Sequence, residues 1–266
     1  MKHFTEAEKL ASRVEAMPST VSFGILKGVF NALAAEVGRT RAATLLAKSF
    51  TVDIALGRPK WKQEMFSFDN EADRAKYAET FKEFRGFINL FERLKKGHGE
   101  KFAQEMSAKL AVPASVPYLA RTFKPIDDFE DIGQLRQLVA DYLGDGAGFT
   151  WTEQVSDDRT EVRYRFIQCA YIEVLRAYGL TAAAASVCYC DHIIFDNAMP
   201  QVYFRRDHCK GVGDDFCDHL FCIRTPDDDA EDSLRYGDTE RANFDAKGLL
   251  DRWAKNFRDH GGSFKW

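Results

Sequence analysis

The chain has no cysteine before residue 169 and none after residue 222. It also has no unbroken apolar run of the roughly 18 residues needed to span a bilayer. Residues 1–25, which begin Met-Lys-His-Phe-Thr-Glu-Ala-Glu, lack the continuous apolar segment of a secretory signal. A membrane partner is therefore not expected, and the expected location is the cytoplasm. A basic stripe is missing too: 37 Lys and Arg stand against 41 Asp and Glu, for a net charge of -4. The nearest basic cluster, Arg93, Lys95 and Lys96, reads as a solvated helix end. A nucleic-acid partner would need cations matched to phosphates, so none is expected. What remains is an ordinary globular composition, 45% hydrophobic over 266 residues, enough for one large or two small domains. The expected partner is a small-molecule substrate, with an oligomer left open.

Hydrophobic periodicity divides the chain into three parts: a helical region over 1–112, an α+β unit over 113–226, and an acidic linker with a docking helix over 227–266. In 21–37 the residues Phe23, Leu26, Val29, Phe30, Leu33 and Ala34 recur at three- and four-residue steps, which predicts an amphipathic helix. A second is expected over 40–50, with Gly38 as the break. Residues 70–110 read as one or two longer helices interrupted at Gly97 and Gly99. Their stripe of Tyr77, Phe81, Phe84, Phe87, Ile88 and Phe91 is read as core packing, because helical spacing of this kind serves a packed face. The pattern is expected to change after Pro113 and Pro117. A helix over 132–143 ends at Gly144. Residues 149–154 and 161–167 then alternate as a hairpin around Asp157-Asp158, with Val162, Tyr164 and Phe166 on one face. Helical spacing returns over 169–178 and over the alanine-rich 182–195. Residues 201–206 and 216–224 are strand-like, joined by a loop that Gly211 and Gly213 permit. The expected fold is α+β: a helical N-terminal region followed by two β-hairpins with two intervening helices. The run Asp227, Asp228, Asp229, Glu231, Asp232 reads as solvated linker, and 244–257 as a closing helix.

All six cysteines, Cys169, Cys188, Cys190, Cys209, Cys217 and Cys222, fall within about a fifth of the chain. Cysteine used only as a small core residue would scatter among the helices, so the confinement implies shared duty as ligands, nucleophiles or bridges. In a reducing compartment, thiols or metal ligands are favoured over disulfides. The same window carries Asp191, His192, His208, Asp214, Asp215, Asp218 and His219. On the expected helix, Cys188 and Asp191 lie three apart and share a face, whereas Cys190 and His192 project elsewhere. On the last strand, alternation sets Cys217, His219 and Phe221 on one face and Phe216, Asp218 and Cys222 on the other. Cys217 and Asp218 therefore face one site only if the strand is bulged or ends there. A thiol with a pKa of about 8.5 attacks poorly at neutral pH unless a helix N-terminus or a cation lowers it. Cys169, near a helix start and just after Arg163 and Arg165, is the expected reactive thiol. The spacings argue against a dedicated structural zinc: Cys188-x-Cys190 lacks the two-residue gap of a knuckle, and Cys217 to Cys222 is too wide. Gly211-Val-Gly213-Asp-Asp places carboxylates where a phosphate would need donors. No cofactor is expected, with a metal held among Cys188, Asp191, His192 and Cys217 kept open.

Taken in order, Cys169, Cys188 with Asp191 three residues on, Arg206, and Gly211-x-Gly213-Asp214-Asp215-x-Cys217-Asp218 resemble the L-2-amino-thiazoline-4-carboxylic acid hydrolase family. The resemblance covers roughly Val162 to Ile223. The chain departs from the pattern at His219, where other members more often carry Phe, and in the additional thiols Cys190, Cys209 and Cys222. The resemblance implies a helical N-terminal region with a small α+β unit. It also implies hydrolytic opening of a small cyclic amidine: water adds at the carbon between ring nitrogen and sulfur, and an N-carbamoyl amino acid forms. In that role assignment Cys169 attacks the carbon or activates its nucleophile, Asp191 exchanges protons with the amidine nitrogens, and Arg206 pairs with a substrate carboxylate. Cys188 joins the catalytic set, and Cys217, Asp218 and His219 complete the substrate pocket. A non-catalytic domain binding a small molecule or metal is the reading from another class.

Overall fold

The structure, a computed structural model, describes residues 19–50, 59–122, 132–144, 146–198 and 202–223. The acidic run and the closing helix expected beyond residue 226 lie outside the described residues.

Two helices open the described chain, α1 (Ser19–Val37) and α2 (Arg39–Phe50). Gly38 separates them at φ +82, where a residue with a side chain would be strained. On α1, Val29 and Leu33 are buried, but Leu26, placed on the same stripe by its spacing, is half exposed. The long helix α3 (Glu71–His98) begins where the Asn70 side chain accepts a hydrogen bond from the Asp73 amide. It stops at Gly99, and α4 (Glu100–Thr122) follows at once. The α3 aromatic stripe does pack as core, with Tyr77, Phe81, Ile88 and Phe91 nearly inaccessible. The change of pattern expected after Pro113 and Pro117 is absent. Helix α4 runs through both prolines to Thr122, and its apolar face packs on a later helix, which outweighs the lost backbone bonds.

After α5 (Ile132–Leu143) come strands β1 (Phe149–Val155) and β2 (Glu161–Cys169), helices α6 (Ala170–Ala177) and α7 (Thr181–Ala198), and strands β3 (Val202–Arg205) and β4 (Cys217–Ile223). This is an α+β fold in the order read from the periodicity. The two hairpins do not stand apart: β2 pairs with β4, giving one antiparallel four-stranded sheet in the order β1-β2-β4-β3. Ala183, Ala184 and Ala185 are buried on α7, and their small side chains let α4 and the 3-10 turn at Lys210–Val212 approach closely. Two apolar clusters result. The larger joins α1 to α4 with α6 and one face of α7; the other lies between α5, the opposite face of α7 and the sheet. No helix among the described residues is long and apolar enough to cross a membrane.

Candidate active site

The register of β1 against β2 contains one irregularity, and it re-aims a thiol. Trp151 pairs with Phe166 and Thr150 with Gln168, so Ile167 is the extra residue of a bulge. Strict alternation from Val162, Tyr164 and Phe166 would turn Cys169 to the opposite face. The bulge pushes Ile167 outward, 49% exposed, and returns Cys169 to the face of Phe166. That face, with α5, α6 and α7, encloses a cavity of about 130 Å³ lined by Cys169, Cys188, Asp191, Cys217 and His219 among aromatic and aliphatic side chains. That volume is below the roughly 300–1,000 Å³ of drug-sized ligand pockets and limits any occupant to a compact ring.

The polar groups of the cavity come from three supports. Cys169 ends β2 and stands at the N-cap of α6, its amide donating to Glu173 Oε1 at 3.2 Å. Cys188 and Asp191 share a face of α7, as their spacing requires. Cys217 and His219 alternate inward on β4 with Phe221, which the strand pattern also requires. Cys190 and His192 project into the other cluster, where His192 meets the Phe204 ring edge-on at 4.8 Å. The metal set considered from the sequence, with His192 as a member, therefore does not assemble. The sulfurs that do assemble are those of Cys188, Cys209 and Cys217, all buried and within 4.8 Å of one another. Spacing along the chain missed this group because its members come from a helix, a loop and a strand.

Two expected substrate contacts lie elsewhere. Asp218 faces away from the cavity. Its carboxylate accepts from the amides of Asp207 at 3.0 Å and His208 at 2.5 Å and pairs with Arg163 at 3.3 Å, so it fixes the loop between β3 and β4. Arg206 is the largest fully buried side chain among the described residues, and it is not in the cavity lining. It donates to Asp191 Oδ2 at 3.0 Å and to the Cys188 carbonyl at 2.9 Å, holding the α7 turn that carries both cavity residues. No lysine or arginine is among the described lining residues. The arginines that were to acidify Cys169 are occupied on the outer face, Arg163 with Asp218 and Arg165 over the Phe216 ring.

Electrostatics sort the groups. Burial, with the Cys217 sulfur next, pushes the Cys169 thiol well above its ordinary range. Cys217 moves the other way, because the thiols of Cys188 and Cys209 and the Lys210 amide, 3.1 Å from its sulfur, donate to it. Burial raises the Asp191 carboxyl, against the opposing pull of His219 and Arg206. His219, with Nε2 3.9 Å from Asp191 Oδ2, is lowered to about 4, chiefly by burial. Burial thus favours the neutral imidazole near pH 7 and makes it a weak base.

Glu173 and Lys210 escaped the sequence reading. Glu173 Oε2 accepts from the Tyr77 hydroxyl at 2.5 Å, and its Oε1 meets the Cys169 amide and, at 3.1 Å, the Lys210 ammonium. The available signal was an acidic residue in the first turn of α6, four residues after Cys169.

A family model described as L-2-amino-thiazoline-4-carboxylic acid hydrolase matches residues 77–221, more than half of the 266-residue chain. No curated protein matches. Among solved structures, an H-NOX protein from S. oneidensis in the Fe(II)NO ligation state aligns at 13% identity, covering 76% of this chain and 99% of that one, with a TM-score of 0.34. A mutant of an H-NOX protein from the same organism in the Fe(II) state aligns at 14% identity over 76% and 96% of the two chains, again at 0.34. At that score the likeness carries no argument. Every residue of the cavity's polar set lies inside the span of the family match.

Proposed function

The chain belongs to the L-2-amino-thiazoline-4-carboxylic acid hydrolase family, and on that premise we propose that it opens a small cyclic amidine by adding water at the carbon between ring nitrogen and sulfur. The observation that carries this reading is the convergence of Cys169, Asp191 and His219 in one apolar cavity. A cationic amidinium entering it meets the Asp191 carboxylate. Cys169 is only half-buried while Cys188 and Cys217 are buried, which makes it the most open sulfur of the lining. Its attack needs a base, since burial keeps it protonated. Asp191, made more basic by its own burial, takes that proton as the sulfur-carbon bond forms. The ring carbon-sulfur bond then breaks, its electron pair and one proton leaving as a free thiol, and an isothiourea remains on Cys169. Water adds to this adduct as Asp191, a carboxylate again once the ring sulfur has taken its proton, accepts a proton from it, and the carbon-Cys169 bond breaks with that proton passing to the sulfur. The thiol is restored and an N-carbamoyl product leaves.

The described lining refines the substrate. Among the described residues a ring carboxylate finds no cationic partner in the cavity, so amidines without one should be accepted at least as well as the 4-carboxylate. The site works as free thiols in a reducing cytoplasm, without an added cofactor in the attack itself. The test is incubation with thiazolines, imidazolines and hydantoins, each with and without the carboxylate, followed by mass spectrometry for a gain of one water. Binding without that gain across the panel would overturn the hydrolase reading and leave a ligand-binding domain.

A further inference from the structure

The mechanism above uses Cys169 and leaves five cysteines unassigned, three of which cluster. Cys188 on α7, Cys209 before the 3-10 turn and Cys217 at the start of β4 are all buried, with each sulfur within 4.8 Å of the other two. We propose that Cys188, Cys209 and Cys217 form a binding site for one thiophilic cation of the zinc class, with a fourth coordination position open to the cavity.

Geometry supports it in three ways. Sulfurs bound tetrahedrally at about 2.3 Å from zinc stand ~3.8 Å apart, so the present spacing requires a contraction of about 1 Å at most. A disulfide needs two of them within about 2 Å and leaves the third without a role. The site is also walled in. The Cys209 amide is held by Asp214 Oδ2 at 2.8 Å, and the Lys210 amide points at the Cys217 sulfur from 3.1 Å. Gly211 lets this loop press onto α7, where a Cβ would come within 2.8 Å of the Cys188 sulfur and of the Ala184 carbonyl oxygen. Finally, Cys188 and Cys217 line the cavity while Cys209 does not. A cation held by the three has protein behind it and the cavity in front, the arrangement of three protein ligands and one open position found in catalytic zinc sites.

This extends the reading of the cavity as a heterocycle hydrolase, and in one respect rests on it. Cleavage of the ring carbon-sulfur bond leaves its electron pair on sulfur, and the open position faces the space where that thiolate forms.

The test uses the full chain, purified without a polyhistidine tag, stripped of metal and kept reduced. Zinc is titrated against a chromophoric chelator, and cobalt is added separately to look for a thiolate-to-cobalt charge-transfer band. One equivalent should bind, and alkylation in its presence followed by peptide mapping should show Cys188, Cys209 and Cys217 protected and Cys222 modified. Cys209→Ser should weaken zinc by more than the about 10–100-fold that loss of an outer-shell partner costs, while Cys190→Ser and Cys222→Ser should not. Cys169→Ser should bind zinc like the native protein, which separates this site from the proposed reaction: loss of turnover in that variant tests the mechanism and leaves the site untouched. Absence of saturable binding to the reduced native chain, binding indifferent to Cys209→Ser and Cys217→Ser, or a disulfide formed between two of the three in preference to metal uptake would each overturn the proposal. The protection mapping is done on the native chain, so a variant that fails to fold does not blunt the test.

Discussion

Replacing Arg206 should damage the fold before it touches the substrate. The guanidinium is inaccessible, pairs with Asp191 at 3.0 Å and donates to the Cys188 carbonyl at 2.9 Å. Removing one partner of a buried pair costs about 3–5 kcal/mol, because the other charge stays behind unpaired. Asp191 keeps 21% exposure, so water recovers part of that, and the orphaned carbonyl adds a share of its own. We expect Arg206→Met to lose ~3 kcal/mol, which for a chain of this size lowers Tm by roughly 6–12 °C. Lysine keeps the charge but offers no fork to reach both acceptors, so Arg206→Lys should recover only about half. Thermal melts followed by circular dichroism, with urea titrations to check a constant m-value, read the loss. In a cycle, Arg206→Met combined with Asp191→Asn should cost less than the two singles added, with a coupling of at least about 1 kcal/mol. The reasoning fails if Arg206→Lys melts within a degree or so of the native protein while the substrate's KM rises: that pattern belongs to an arginine facing the ligand, as the sequence alone suggested.

Stability should also fall in acid through His219. Unfolded, the imidazole takes a proton near pH 6.5, whereas folded it resists until about 4; the unfolded state therefore binds more protons between those values, and stability drops as pH falls through that window. The ceiling is about 3 kcal/mol, and with 16% of the side chain exposed we expect ~1–2; His219→Phe should flatten the slope between pH 6.5 and 4, and an unchanged slope would refute the assignment. Cys169→Ser should fold and bind substrate yet lose turnover by about 10³-fold or more, since oxygen in its place would need a stronger base than Asp191; a loss of only a few-fold would move the attack to water activated at Asp191. Asp218→Ala should cost ~1–2 kcal/mol by freeing the loop amides at Asp207 and His208, with KM unchanged, and a raised KM at native stability would return Asp218 to the substrate pocket.

The helices were legible because three- and four-residue spacing marks a buried stripe wherever it occurs, as Tyr77, Phe81, Ile88 and Phe91 show. The polar half of the cavity was legible for a related reason: α7 and β4 are regular, so spacing alone puts Cys188 beside Asp191 and Cys217 beside His219. What pattern could not supply was depth and irregularity. Alternation from Val202 and Phe204 does put Arg206 on the inner side, but nothing in a period of two says whether a cation there is capped by a carboxylate or waits at an opening. The bulge at Ile167, which decides the side of Cys169, reflects a register between strands and leaves no periodic trace. Pro113 and Pro117 suggested a boundary because local backbone preference was weighed without the tertiary packing of α4. Cys209 was set aside because its partners are distant in sequence.

Glu173 places the candidate site at the end of the order in which the molecule is made. Its carboxylate joins Tyr77, 96 residues upstream, to the Cys169 amide and, downstream, to Lys210. Contacts between residues so far apart form slowly, because a long loop must close before they are rewarded. On the ribosome α3 emerges well before the strands that complete the cavity, its aromatic stripe covered at first by Trp61, Phe66 and Phe68 and not yet by the later elements. Only when the turn at Lys210 arrives, just ahead of β4, can the early helix and the late loop be locked through one glutamate. Substitutions at Tyr77 should therefore show themselves in the yield of protein folded in cells, far from the cavity and before any substrate is present.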